Sequence, residues 1–220
     1  MLAAAGIPPR YRRCTLANFE VSSPDPAARD QLLAAHTRCT RYLDDFLGEG
    51  GGFSGSGLLL VGPPGVGKTH LAAAVLSELI RRYRMRGLFT DFTSLTHQIQ
   101  STFDPASTAS KHHVLDPVMG AEVLVLDELG AQKPTAWVRD TLYLVINTRY
   151  TRNLPTVFTT NYRLEAASRS GPHLDGPGRE DLLENRVPPS LISRLYEMAP
   201  AIVMDSVDFR REVKQHQHRA

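Results

Sequence analysis

The sequence predicts an α/β fold in which a parallel five-stranded sheet lies between helices. Short apolar or β-branched runs, typical of buried strands, alternate with longer segments whose apolar residues recur at helical spacing. A Gly-rich motif at residues 62–69 joins the first of these runs to the helical segment that follows it. Strands that alternate with helices in this way pair in parallel, and helices cover both faces of their sheet.

Each element rests on its own pattern. Runs of four or five apolar or β-branched residues predict strands at 58–61, 88–92, 123–126, 156–160 and 201–204. Apolar residues that return every three or four positions predict helices at 26–47, 71–83, 93–103, 113–119, 135–150 and 189–198. Because the prolines at 8 and 9 oppose a helix, we expect residues 7–19 to be extended.

Size and composition indicate one ordinary globular domain. The chain has 220 residues, of which 42% are hydrophobic and 22% charged, enough to bury a core without a disulfide or metal. We expect a lead-in or linker at 1–25, the folded domain at 26–212 and a polar tail at 213–220. The net charge of +2 permits contact with nucleic acid but does not argue for it.

Several classes of protein are disfavoured. Cys14 and Cys39 lie far apart without a CxxC motif, which predicts no zinc site and fits a reducing compartment. No run approaches the roughly 18 to 20 apolar residues that a membrane span needs. The first residues also make a poor signal peptide. The protein is therefore expected in the cytoplasm.

The most specific motif is a phosphate-binding loop. It follows an apolar strand, opens a helix and fits the pattern GxxxxGK followed by Ser or Thr. Its backbone N–H groups would cradle phosphate oxygens, its lysine would reach the β- and γ-phosphates, and its threonine hydroxyl would bind Mg²⁺. With the histidine that follows, the predicted ATP-binding residues are Gly62, Pro63, Pro64, Gly65, Val66, Gly67, Lys68, Thr69 and His70.

A second motif supplies carboxylates. Asp127 and Glu128 directly follow the apolar run 123–126, at the end of a strand where ligands of open α/β sheets bind. Asp127 is predicted to hold Mg²⁺ together with Thr69, and Glu128 to orient and deprotonate a water. An activated water favours hydrolysis over phosphoryl transfer by a small-molecule kinase. The sequence also lacks the Asn-Lys-x-Asp motif that recognises guanine.

Asn161 ends the next predicted strand. It could lie between the two acidic residues and the γ-phosphate and sense the presence of that phosphate. A turn-forming asparagine after a strand explains it as well, and the residue alone favours the second interpretation.

Together these motifs resemble the DnaC/DnaI family of bacterial helicase-loader ATPases, a clade of AAA+ proteins close to DnaA and to the IstB transposition helpers. The similarity runs from about residue 7 to residue 210. It rests on IPPRYRRCTLANFE at 7–20, GPPGVGKTHLA at 62–72, LVLDELGAQKPTAW at 124–137, NTRYTRNLPTVFTTNY at 147–162, SLISRLYEM at 190–198 and DFR at 208–210.

The resemblance implies roles that spacing alone does not. Asn161 resembles the sensor-1 residue. Arg194 resembles the arginine finger that completes the ATP site of a neighbouring subunit, and Arg210 resembles the sensor-2 arginine. The helix at 93–103 would line a path for single-stranded DNA. The resemblance also implies no C-terminal helical lid. The chain departs from the family pattern at its start, because family loaders carry an N-terminal helicase-binding domain and this chain is expected to start at the linker to it.

The sequence therefore predicts a cytoplasmic AAA+ P-loop ATPase of DNA replication that self-associates through Arg194 and loads or remodels a replicative helicase on single-stranded DNA. An IstB-like transposition helper, with the same chemistry and a transposase partner, is the nearest alternative. A small-molecule P-loop kinase, or a binding module that uses ATP as a structural switch, are further alternatives.

Overall fold

The computed structural model describes residues 2–48, 53, 55–103, 110–132, 135–164, 182–206 and 208–209. The α-helices in this part of the chain are α1 (Pro26–Asp44), α2 (Lys68–Tyr83), α3 (Phe92–Ser101), α4 (Lys111–Gly120), α5 (Ala136–Thr151) and α6 (Pro189–Met198). The strands are β1 (Leu58–Val61), β2 (Gly87–Asp91), β3 (Val123–Asp127), β4 (Thr156–Thr160) and β5 (Ala201–Val203). Single 3-10 turns lie at Leu2–Ala4, Pro9–Tyr11 and Leu183–Asn185.

The strands form one parallel sheet in the order β2-β3-β4-β1-β5. All residues of the three inner strands are buried, because helices cover both faces of the sheet. One apolar cluster packs α1 and α2 on one face of the sheet. A second packs α3, α4, α5 and α6 on the other face. The predicted α/β fold with five parallel strands is confirmed.

Capping side chains place several helix starts differently from the sequence prediction. The carboxylate of Asp91 accepts a hydrogen bond from the N–H of Ser94 (2.7 Å), so α3 begins at Phe92 and β2 ends one residue early. The hydroxyl of Ser110 likewise caps α4, which begins at Lys111 and not at residue 113.

The lead-in is not extended throughout, contrary to the prediction. Pro9 opens a 3-10 turn at Pro9–Tyr11, since a proline in the first position of a helical turn loses no hydrogen bond. Before this turn the chain runs along the outer edge of β2, where the N–H of Phe89 donates to the carbonyl of Ala5 (2.7 Å). The lead-in thus packs on the domain and covers part of an edge strand.

Some expectations fall on other parts of the chain. The end of the domain at residue 212 and the tail at 213–220 lie outside the described residues. The expectation of no helical lid concerns the chain after β5, of which only 204–206 and 208–209 are described. Among the helices that the structure describes, none is long and apolar enough to cross a membrane.

A buried arginine ties α5 to the end of α4 and to the amino end of β4. The side chain of Arg149 is 1% exposed. Its guanidinium donates to the carbonyls of Val118 (3.0 Å), Ala121 (2.8 Å) and Pro155 (2.9 Å) and to the hydroxyl of Thr156 (2.8 Å). Burial lowers the pKa of Arg149 to about 9, and the four acceptors offset this cost of desolvation.

Replacing Arg149 by Met should lower the free energy of unfolding by about 2–4 kcal/mol, because three buried carbonyls then lose a charged donor. Urea denaturation measures this difference. Arg152→Met, at an exposed position just after the same helix, is the matched control and should change stability by less than about 0.5 kcal/mol. A similar small change for Arg149→Met would show that these hydrogen bonds add little net stability.

Candidate nucleotide site

The phosphate loop connects β1 to α2 and adopts left-handed backbone angles at Gly65 (φ +86°) and Gly67 (φ +96°). Only glycine adopts such angles without strain. The space is also occupied, since a Cβ atom on Gly65 would lie 2.0 Å from a carboxylate oxygen of Asp208, and one on Gly67 would lie 2.6 Å from the ring of Phe19. Because Gly67 cannot cap α2 with a side chain, the first N–H groups of that helix can serve an anion.

Lys68 is folded back onto this loop. Its ammonium group donates to the carbonyls of Gly62 (2.8 Å) and Pro63 (2.7 Å), and its side chain is buried. These two hydrogen bonds keep a positive charge at the centre of the loop. A phosphate bound there would compete with the two carbonyls for the same ammonium group.

Asp127, the last residue of β3, joins the phosphate loop to the sheet. Its carboxylate accepts hydrogen bonds from the hydroxyl of Thr69 (3.1 and 3.2 Å) and from that of Thr159 on β4 (2.5 Å). Burial raises the pKa of the Asp127 carboxyl, and the two hydroxyl donors act in the opposite direction. A hydroxyl and a carboxylate side by side are hard oxygen ligands of the kind that Mg²⁺ prefers, so the residues present fit this ion.

Glu128 begins the turn after β3 and is exposed. Its φ of +58° is unusual for a residue other than glycine and costs about 1–3 kcal/mol. The hydroxyl of Thr159 accepts a hydrogen bond from the N–H of Glu128 (3.0 Å), and the N–H of Leu129 donates to the carbonyl of Thr159 (2.8 Å). The strained backbone is therefore held by β4, with a solvent-accessible carboxylate directly beside the buried Asp127.

Asn161 follows β4 and is exposed at the same carboxyl edge of the sheet. β4 lies next to β3, so the structure brings Asn161 to the edge that carries Asp127 and Glu128. In the described part of the chain its side chain makes no hydrogen bond.

Arg194 lies elsewhere, on the surface between α5 and α6. Its guanidinium carbon is 5.2 Å from the ring centre of Tyr143 and 5.6 Å from that of Tyr150. Its Nη1 atom is buried and has no hydrogen-bond partner among the described residues. The structure does not bring Arg194 to its own chain's phosphate loop. Arg210 lies outside the described residues, although Asp208, just before it, touches Gly65.

The structure adds residues that the sequence analysis missed. A cleft of about 240 Å³ opens beside the phosphate loop. Residues of the lead-in and of the segment after β5 form its walls together with the loop; they include Asn18, Phe19, Glu20, Ser22, Ser206 and Phe209. The signal for the lead-in was present, since 7–20 is one of the stretches that carry the family resemblance. Thr159 also lies in such a stretch, 147–162, but nothing in its residue type sets it apart, because a β-branched residue in a strand is ordinary.

Comparison with known proteins places this site in a family. The family model described as IstB-like ATP binding protein matches residues 54–170, which is just over half of the chain. The chain belongs to this family of IstB-like ATP-binding proteins. Residues 54–170 include the phosphate loop, Asp127, Glu128 and Asn161, and the family is described as ATP-binding.

Curated relatives agree with this assignment. The chain is 26% identical over 165 residues to the replicative helicase loader DnaC of Escherichia coli (strain K12), which covers 75% of this chain. It is 27% identical over 192 residues to the replicative helicase loader DnaI of Bacillus subtilis (strain 168), covering 87% of this chain. The matches span only 62% and 57% of those relatives' own lengths.

Solved structures share the fold. The crystal structure of the DnaC helicase loader matches with a TM-score of 0.68 and 29% identity, over 90% of this chain and 99% of that chain. AMPPCP-bound DnaA from Aquifex aeolicus matches with a TM-score of 0.64 and 16% identity, over 97% of this chain and 56% of that chain, which indicates a common fold alone. The predicted AAA+ fold and the resemblance to helicase loaders are confirmed.

Thr159 is expected to matter for turnover although it touches no phosphate. Thr159→Val keeps the shape of the side chain but removes the donor to Asp127 and the acceptor for the Glu128 N–H. Because hydrogen bonds to charged groups contribute about 1.5–3 kcal/mol, steady-state ATP turnover should fall about 10- to 100-fold.

Thr159→Ser should retain most turnover. The matched control is Thr141→Val, since Thr141 is also buried and its hydroxyl donates to the carbonyl of Trp137 (3.0 Å), away from the two acidic residues. Turnover of Thr159→Val within about twofold of wild type would contradict the role assigned to this hydroxyl.

Proposed function

We propose that the protein is an ATPase of DNA replication that binds ATP with Mg²⁺, hydrolyses it, and loads or remodels a replicative helicase on single-stranded DNA in the cytoplasm. One observation carries the catalytic part of this proposal. Asp127 is held between the hydroxyl of the phosphate loop and that of β4, with the exposed Glu128 directly after it. The names of the loader relatives support the biological part.

Binding uses the phosphate loop. The ammonium group of Lys68 exchanges the carbonyls of Gly62 and Pro63 for oxygens of the β- and γ-phosphates, which are stronger acceptors because they are charged. Thr69 and Asp127 are the residues that would hold Mg²⁺, which supplies positive charge to the same phosphates.

Hydrolysis uses Glu128. Its carboxylate is open to solvent, so water reaches it, and it accepts the proton of the water that attacks the γ-phosphate. A small-molecule kinase must exclude water and admit another acceptor. The exposure of Glu128 therefore favours the ATPase over the kinase.

Asn161 and Arg194 complete the proposed catalytic set. Asn161 directly follows β4, the strand next to the one that ends in Asp127, and contacts the γ-phosphate from there. Arg194 acts on the nucleotide of a neighbouring subunit, so the protein works as an oligomer. Its place on two tyrosine rings supports this role, since stacking on rings leaves its charge without a carboxylate partner among the described residues. Arg210 stays a prediction for the nucleotide of its own subunit.

Two candidate partners, a replicative helicase and a transposase, fit the same ATPase chemistry. The loader relatives, together with the SLISRLYEM and lead-in stretches, favour a replicative helicase. The description of the family as IstB-like favours a transposase. We propose the helicase, because the relatives named above are loaders and cover three quarters or more of this chain.

Single-stranded DNA is the second proposed partner, and α3 is the proposed contact. The exposed side chains of this helix are Ser94, His97, Gln98, Gln100 and Ser101, which offer hydroxyl, imidazole and amide donors to phosphates. α3 carries no Lys or Arg. Its affinity for DNA should therefore depend less on salt than that of a basic groove.

ATP-dependent capture of the helicase tests the partner. Glu128→Gln, which should bind ATP without hydrolysing it, serves as bait in a lysate of the source cell, and mass spectrometry identifies the captured proteins. The replicative helicase should be enriched with ATP present. Lys68→Ala, which should not bind nucleotide, is the matched bait and should not enrich it.

Enrichment of a transposase in place of the helicase would contradict the loader and support the transposition helper. Equal capture by Glu128→Gln and Lys68→Ala would contradict an ATP-dependent contact. Negligible ATP turnover by the wild-type protein, even when it is assembled on DNA, would instead favour a binding module that uses ATP as a switch.

A further inference from the structure

The lead-in makes a closed turn beside the phosphate loop. The side chain of Asn18 accepts a hydrogen bond from the N–H of Thr15 (2.8 Å) and donates to the carbonyl of Arg13 (2.8 Å), while the hydroxyl of Thr15 accepts one from the N–H of Asn18 (3.1 Å). These local bonds fix the shape of residues 13–18. They do not fix where the turn lies on the domain.

Two histidines from different helices fasten this turn. Nε2 of His36, on α1, is 3.0 Å from the carbonyl oxygen of Leu16, and Nε2 of His70, in the first turn of α2, is 3.0 Å from that of Thr15. Two consecutive carbonyls are thus bound by two imidazoles. Since His70 directly follows Thr69, one of these bonds ties the lead-in to the start of the phosphate-binding helix.

Phe19 fills the space between the two imidazoles. Its ring centre lies 6.2 Å from that of His36 and 5.4 Å from that of His70. The same ring lies against the backbone of Gly67. Phe19 therefore lies against the phosphate loop, stacked with His36 and edge-on to His70.

The cleft beside the phosphate loop depends on this arrangement. Residues 18–20 and 22 form one side of it. The other lining residues are Leu32 of α1, Gly65 to Gly67, His70, Ser206 and Phe209. A ligand that fills the cleft contacts the lead-in and the phosphate loop together. Binding of this ligand is then stronger when the lead-in is docked, and the bound ligand in turn stabilises the docked lead-in.

We propose that His36, Phe19 and His70 form a clamp that couples nucleotide binding to docking of the lead-in, so that each stabilises the other. This inference rests on the proposed function, because it takes the ligand of the cleft to be the nucleotide. By linkage, the factor by which a docked lead-in tightens nucleotide binding equals the factor by which nucleotide tightens docking. His36 does not line the cleft, and it acts as a positioning residue through Leu16 and Phe19.

Hydrogen exchange of the wild-type protein is the first arm of the test. Deuterium uptake by residues 13–22 is followed by mass spectrometry with and without ADP or a non-hydrolysable ATP analogue. The clamp predicts slower uptake when nucleotide is bound, because opening of the turn then requires loss of the ligand contacts. The binding constant of the same nucleotide is measured by calorimetry.

Variants of His36 are the second arm. His36→Ala should raise uptake by residues 13–22 and weaken nucleotide binding about three- to tenfold, as expected for loss of one hydrogen bond. KM for ATP should rise with the dissociation constant, whereas turnover at saturating ATP should change little. His36→Gln, which can still donate to the Leu16 carbonyl, should recover part of the affinity. His113→Ala removes an exposed imidazole on α4 and should change neither measurement.

The outcomes separate the clamp from the proposed function. A wild-type protein that binds no nucleotide overturns both. A wild-type protein that binds nucleotide but shows unchanged uptake at residues 13–22 overturns the clamp alone. So does a folded His36→Ala variant with wild-type affinity. Because the wild-type arm needs no variant, loss of folding in His36→Ala leaves a decisive measurement.

Discussion

The carboxylate of Asp127 joins the phosphate loop to the middle of the sheet. It binds the hydroxyl of Thr69 at the start of α2 and that of Thr159 on β4, so three separately encoded elements meet at one buried acid. Burial alone would favour the neutral form of this acid and raises its pKa. The two hydroxyl donors stabilise the charged form that a divalent cation needs.

The hydrogen bonds at this junction also position Glu128, the proposed base for hydrolysis. Thr159 accepts a hydrogen bond from the backbone of Glu128 while it donates to Asp127, so one hydroxyl serves both acidic residues. It stabilises the left-handed backbone that leaves the Glu128 carboxylate exposed. On the other side, α2 carries Lys68, Thr69 and His70 in succession. The residues proposed to contact the phosphates, the metal and the lead-in therefore all lie at the start of one helix.

Sequence reasoning predicted most of the fold because the relevant signals are local. β4 and α6 were predicted with their observed bounds, since each is a β-branched or apolar run with clear ends. Helix starts at Phe92 and Lys111 were missed because they depend on single caps. Thr159, Phe19 and the buried Arg149 were missed for another reason. Most of their contacts join residues far apart along the chain, and one sequence does not specify which distant residues meet.

Hydrolysis at the Asp127–Glu128 edge of the sheet is tested most directly with Glu128→Gln. ATP binding and ATP turnover are measured side by side for this variant and for the wild-type protein. Glu184→Gln changes an exposed glutamate outside the site and is the control. Glu128→Gln should bind ATP within about twofold of the wild-type affinity, and its turnover should be lower on the order of 100-fold or more. Turnover at the wild-type rate would show that Glu128 does not activate the water.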